Sequence, residues 1–165
     1  HIELKAVHKE FKNKAMMINK IKNLHSTLIN DFKIKIPKII IAGINPHAGE
    51  NKTISQDDNK YLFPIINNLK KRGISIYGPI SGDGIINNEN LKKYDAFLFT
   101  YHDQALIPFK MLSNYEGVNF TSNLNIIRVS PSHGTAENLI GSNKAVSKGI
   151  INFFNLIKKI KRNRS

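Results

Sequence analysis

Residues Ile39-Ile40-Ile41-Ala42-Gly43 form an unbroken apolar run between Pro37 and the segment Ile44-Asn45-Pro46-His47-Ala48-Gly49-Glu50. Such a run reads as a buried strand, and the segment from Gln56 to Lys71 beyond it reads as a helix. The intervening residues are therefore a loop at the carboxyl end of a strand. In open α/β sheets ligands bind at such loops, because the strand ends border a crevice that the helices leave open. Pro46 fixes its own φ and pushes Asn45 towards an extended conformation, while Gly49 permits a sharp turn. His47 thus projects from a stiff loop. Two readings stay open for it: a functional imidazole, or one hydrogen-bonded within a tight turn.

The rest of the chain repeats this alternation. From Asn13 to Phe32, Met17, Ile21, Leu24, Leu28 and Phe32 recur at helical spacing with lysines between them. Leu62, Ile65, Ile66 and Leu69 give Gln56 to Lys71 one apolar face, with Pro64 predicting a kink and Gly73 a stop. Strands are expected at Ile74–Tyr77, closed by Gly78-Pro79, and at Asp95–Thr100, Gly117–Thr121 and Ile126–Ser130. A short helix is expected near Thr135, then an amphipathic one carrying Val146, Ile150, Phe153, Phe154 and Ile157. Alternating strands and helices predict a single α/β domain over 1–165, a mainly parallel sheet with flanking helices.

Composition narrows the chemistry. The absence of cysteine excludes disulfides, thiolate metal sites and a cysteine nucleophile, so a metal must be held by His, Asp or Glu. No segment approaches the roughly 18–20 apolar residues of a membrane span, so a soluble, cytoplasmic protein without membrane association is expected. The net charge of +13 invites a nucleic-acid reading. Yet the lysines are scattered, the densest run is the tail Lys158–Arg164, and no nucleic-acid-binding motif is present. The charge equally attracts anionic small molecules, and no nucleic-acid partner is expected.

His47 and His102 each stand just past a predicted core strand, and parallel strands bring both loops to one sheet edge. Imidazoles converging there suit zinc, cobalt, manganese or iron; a helix-capping or core histidine is the other reading of His102. Asp83 and Asp103 occupy comparable loop positions, where a carboxylate orients a ligand, moves a proton or caps a helix. Lys110, Asn119 and Arg128 follow downstream. Arg128 interrupts the apolar run Ile126-Ile127-Arg128-Val129, where a charge is costly unless it is paired, contacts an anion or faces water at a strand edge. His133-Gly134-Thr135 could open a helix that receives an anionic ligand, or be a plain threonine cap. Neither a G-x-G-x-x-G, a P-loop nor a G-x-S-x-G is present.

In this order, Asn45-Pro46-His47-Ala48-Gly49-Glu50, Tyr101-His102-Asp103-Gln104, Gly117-Val118-Asn119 and His133-Gly134-Thr135 resemble the 4-hydroxythreonine-4-phosphate dehydrogenase family, NAD-dependent enzymes of pyridoxal phosphate biosynthesis. The similarity runs from His1 to about Phe154 but covers only the C-terminal half of that family, so the chain resembles part of a longer two-domain enzyme. The resemblance implies a divalent metal (zinc, cobalt, magnesium or manganese) held by three histidines. His47 and His102 match two of them and His1 looks like the third. It also implies a small phosphorylated substrate contacted by Lys110, Asn119 and Arg128, with Lys110 or Asp103 moving the proton. A homodimer with a shared active site is implied too. The family's fold is similar to that of isocitrate and isopropylmalate dehydrogenases, which bind NAD without the glycine fingerprint. By that comparison the loop Pro131 to Asn143, with His133, Gly134 and Thr135, is the NAD contact. The sequence departs from the family at Asn51-Lys52-Thr53, where further glycines are usual, at Ser132 in place of aspartate, and at Ala105 in place of glycine.

Overall fold

The central strand β1, Lys38–Ala42, is buried on both sides, and its side chains alternate between two apolar clusters. Ile39 and Ile41 join Ile21, Leu28, Leu62, Ile65, Ile66 and Leu69, whereas Ile40 and Ala42 join Ile85, with Ile80, Tyr94 and Phe97 packed around them. A strand sandwiched this way has no solvent face, which is why its sequence is continuously apolar. The computed structural model describes residues 2–114, 116–132, 140–142 and 148–165.

The elements run α1 (Leu4–Glu10), α2 (Lys14–Asn30), β1, α3 (Phe63–Lys71), β2 (Ser75–Ile80), α4 (Asn88–Lys93), β3 (Ala96–Leu98), α5 (His102–Ser113), β4 (Val118–Thr121), β5 (Arg128–Pro131) and α6 (Lys148–Arg164). Strands β2-β1-β3 form a parallel three-stranded sheet, and β4-β5 form a separate antiparallel pair. The α/β class expected from the sequence is therefore found, with its last two strands outside the parallel sheet. Among the described residues no helix is long and apolar enough to cross a membrane.

Local chemistry accounts for the boundaries. Asn13 caps α2, its side chain accepting from the Met16 N–H at 3.0 Å, and Ile21 and Leu28 are buried along the helix's apolar stripe. The segment expected as one helix from Gln56 changes geometry instead: Asp58–Leu62 forms a wide turn, and α3 begins at Phe63, next to Pro64. The proline has no N–H to give to the preceding turn, and the change of pitch there absorbs that loss. Strand β2 continues through Gly78-Pro79 rather than closing there. Gly78 (φ 116°) lies so close to β1 that a Cβ would sit 2.4 Å from the Ile41 carbonyl oxygen, and the register shifts at this point. The sequence reading also omitted α1, α4 and α5.

The basic C-terminal run, read as a tail, forms the last turns of α6, with Ile160 fully buried. The helix lies on β4 and β5. It is tied to α2 by Arg164, whose Nε and Nη2 donate to the Asp31 carboxylate at 2.7 and 2.8 Å, while Arg164 Nη1 donates to the Leu124 carbonyl at 3.0 Å. The short helix expected near Thr135 falls outside the described residues.

Candidate functional site

Because β1, β2 and β3 are parallel, the loops that follow them emerge at one sheet edge. They are Pro46–Lys52 after β1, Ser81 to Gly84 after β2, and Phe99 to Tyr101 leading into α5 after β3. Between them lies a cavity of about 470 Å³. Its lining combines the polar Asn45, His47, Asp83, Asp103 and Gln104 with the apolar Ile86, Ile107 and Met111. A neighbouring cavity of about 710 Å³ is lined by His102, with Tyr101 and Asp103 shared between the two.

A single glutamine joins the three loops. Gln104 Nε2 donates to the Gly43 carbonyl at 3.0 Å, and its Oε1 accepts from the Thr100 N–H at 2.9 Å and the Thr100 hydroxyl at 3.0 Å. The Thr100 hydroxyl also lies 3.1 Å from the Gly43 carbonyl. The third loop packs on the same side chain, since a Cβ on Gly82 would fall 2.5 Å from Gln104 Nε2. On the far side of the β1 loop, the fully buried Asp58 carboxylate accepts from the Ile44 N–H (2.8 Å), the Asn45 N–H (3.3 Å) and Asn45 Nδ2 (3.1 Å). The sequence reading passed over Asp58. Its signal was position: it extends the stripe Leu62, Ile65, Ile66, Leu69 by one turn, so a carboxylate there had to be buried and needed donors.

His47 and His102 are both exposed, the first within the β1 loop and the second as the opening residue of α5. They share a sheet edge as expected, but they line adjoining cavities rather than one. Asp103, in the first turn of α5, and Asp83 are also exposed. The Asp83 carboxyl is held below its ordinary value of 3.8, chiefly by the hydroxyl of Ser81 and its own backbone N–H, with His47 and the Gly84 N–H adding to the effect against desolvation. Ser81 stabilises the ionised form, so Ser81→Ala is expected to move the Asp83 titration up towards 3.8. Carbon-detected NMR titration of that carboxyl checks it, and an unmoved midpoint would discard the serine as the main cause.

Lys110 lies two helical turns beyond His102, about 12 Å along the axis, and is exposed. Asn119 is exposed on β4, opposite Ser130. Arg128 is exposed at the start of β5 and donates from Nη1 to the Thr121 hydroxyl at 2.8 Å, so its charge stays in water. These three residues line neither of the two cavities. His1, and the expected NAD-contacting residues His133, Gly134 and Thr135, lie outside the described residues. Among the described residues no three His, Asp or Glu side chains come together as a metal cage. The donor types do fit a divalent ion: exposed imidazoles beyond neighbouring strands, with carboxylates beside them.

The sequence of residues 1–157 matches the family described as pyridoxal phosphate biosynthetic protein PdxA. The chain belongs to the PdxA family. It is 39% identical over 160 residues to the 4-hydroxythreonine-4-phosphate dehydrogenase of Aquifex aeolicus, an alignment covering 97% of this chain and 49% of that protein. It is 37% identical over 164 residues to the enzyme of the same name from Sulfurihydrogenibium, covering 99% and 50%. Among solved structures, it is similar to the 4-hydroxythreonine-4-phosphate dehydrogenase of Burkholderia phymatum, with a TM-score of 0.78, 28% identity, and coverage of 98% of this chain and 48% of that one. The Klebsiella pneumoniae enzyme gives a TM-score of 0.77 at 29% identity, covering 100% and 49%. The chain thus spans about half the length of these PdxA relatives.

Proposed function

We propose that this chain supplies the metal-binding edge of an NAD-dependent dehydrogenase. Its reaction is oxidation of the secondary alcohol of 4-phosphooxy-L-threonine to a 3-keto acid that decarboxylates, a step of pyridoxal phosphate biosynthesis. The observation that carries this reading is the family match along residues 1–157, supported by His47 on the β1 loop and His102 at the start of α5, beyond paired strands. In it, His47, His102 and His1 hold a divalent ion. A bound ion would supply Lewis-acid polarisation of the alcohol oxygen, and NAD would be the hydride acceptor. Asp103 or Lys110 accepts the hydroxyl proton. Asp103 borders both cavities and is acceptor-only when ionised, which supports it as the nearer base. Lys110, Asn119 and Arg128 bind the substrate's anionic groups, and residues around His133-Gly134-Thr135 contact NAD. A homodimer with a shared site completes the arrangement, since a pocket lined by the exposed Ile107 and Met111 needs a cover to exclude water.

The same apolar residues favour one second reading, a relative that oxidises cyclic diols, whose ring carbons they would contact; a relative acting on phosphorylated four-carbon sugar acids is the other alternative within the family. Turnover is to be compared on all three substrate classes with NAD and added zinc, cobalt, magnesium or manganese. NADH formation only with phosphooxy-threonine is the expected result, and preference for a diol would replace the first reading by the second. No turnover on any of them by the intact protein would leave an inert metal-binding or partner-binding piece.

A further inference from the structure

We propose that Asp58 is a positioning residue for His47: its buried carboxylate sets where the β1 loop presents the imidazole. The proposal rests on the reading of His47 as a metal ligand. The loop's backbone needs such a restraint. From His47 to Lys52 every residue has positive φ, with values of 51°, 50°, 81°, 42°, 52° and 81°, which makes the segment a left-handed turn. Gly49 adopts this conformation freely and Asn51 tolerates it, whereas each of the other four costs roughly 1–2 kcal/mol. A conformation of that kind persists only where the surroundings over-determine it.

The loop's internal bonds do not anchor it. Ala48 N–H donates to the Asn45 carbonyl (3.0 Å), Thr53 N–H to the Glu50 carbonyl (3.0 Å) and Ile54 N–H to the Gly49 carbonyl (3.2 Å), so these bonds join the loop to itself and to the residues next to it, not to the core. Asp58 acts from outside and on both flanks of His47. Before it, the carboxylate holds Ile44 and Asn45 through three hydrogen bonds. After it, Gly49 is packed so closely that a Cβ would lie 2.6 Å from the Ser55 carbonyl oxygen and 3.4 Å from Asp58 Oδ2. Asp58 also fills the space beside Gly43, where a Cβ would lie 2.9 Å from Oδ1. The carboxylate is fully buried at the head of the wide turn that leads into α3, so it moves only if that helix moves.

Asp58→Asn is the informative substitution because it preserves volume. The new side chain can still accept from the Ile44 N–H through its amide oxygen, but its amide nitrogen then faces the two donors of Asn45. The readouts on the intact protein are the ring resonances of His47, hydrogen exchange at the Ile44 and Asn45 amides, and zinc affinity. Ile65→Val serves as a control of similar stability cost in the core of α3, and His47→Ala as the reference for the metal. Displaced His47 resonances with zinc affinity reduced roughly tenfold, and neither change in Ile65→Val, is the expected result. Unmoved resonances with faster amide exchange would overturn the proposal and leave Asp58 as a stability residue. Displaced resonances with zinc affinity lost in His47→Ala but kept in Asp58→Asn would overturn it as well. Zinc affinity unchanged even in His47→Ala would sink the metal reading instead, and the resonances alone then decide whether Asp58 places His47. Should Asp58→Asn not fold, Asn45→Ala removes one of the same contacts; a smaller displacement of the His47 resonances supports the proposal, and none overturns it.

Discussion

Replacing His47 and His102 together by alanine is expected to lower zinc affinity by more than about a hundredfold, because losing inner ligands exceeds the tenfold to hundredfold that outer partners cost. His47 stands on the loop after β1 and His102 opens α5 just beyond β3; the two strands pair directly, so no other described strand lies between them. Both imidazoles are exposed, so their removal leaves the apolar clusters untouched and the fold should persist. Calorimetric titration of the wild type and the double variant with zinc reads the difference. Under the proposed function, turnover of the intact protein should fall by about a thousandfold or more, since a Lewis acid supplies several kcal/mol of transition-state stabilisation. Equal zinc affinity in the two proteins would remove the histidines from the metal site.

Arg164→Met is expected to destabilise the fold by about 3 kcal/mol, or roughly 6 to 12 °C in melting temperature for a chain of this size. The reason is the partner it abandons. Asp31 is almost fully buried, its side chain 6% exposed, and takes both of its charge-assisted bonds from Arg164. The same contact raises the guanidinium's pKa above its ordinary value, because the carboxylate beside it favours the charged form. Without the guanidinium, an unpaired carboxylate remains at the end of α2, and the contact with the Leu124 carbonyl goes with it. The cost falls at the low end of the range for buried pairs because Arg164 itself keeps 26% exposure. Adding Asp31→Leu should recover most of the loss, since the double variant buries no lone charge. Urea melts of the two single variants and the double variant test this. A loss below about 1 kcal/mol in Arg164→Met would show an ion pair screened by solvent, not a clamp on α6.

The elements legible in the sequence were those whose pattern and environment agree. Strand β1 was legible in the run Ile39 to Ala42 because burial on both faces leaves no room there for a polar residue, and α2 because its apolar stripe begins just after the capping Asn13. Helix α5 was missed for the opposite reason. It carries Pro108 in its interior and buries none of its residues, so neither propensity nor periodicity marks it. Helix α1 likewise buries nothing over its length. Arg128 looked like a charge inside an apolar strand; with β5 starting at that residue and Ile126 69% exposed, no such strand interior exists.

The sequence by itself determined the α/β class, the family, and the strand ends beyond which His47, Asp83, His102 and Asp103 stand, because these follow from local patterning and from motifs read in order. Only the tertiary structure decided how those loops are held. The left-handed turn from His47 to Lys52 has a single glycine, so nothing in its composition announces positive φ; the conformation depends on Asp58, supplied from outside the loop. Likewise the convergence of three loops on Gln104 arises from strand order, β2-β1-β3, which brings together residues far apart in the chain. Contacts between distant segments depend on strand order and burial, and neither is a property of any one segment.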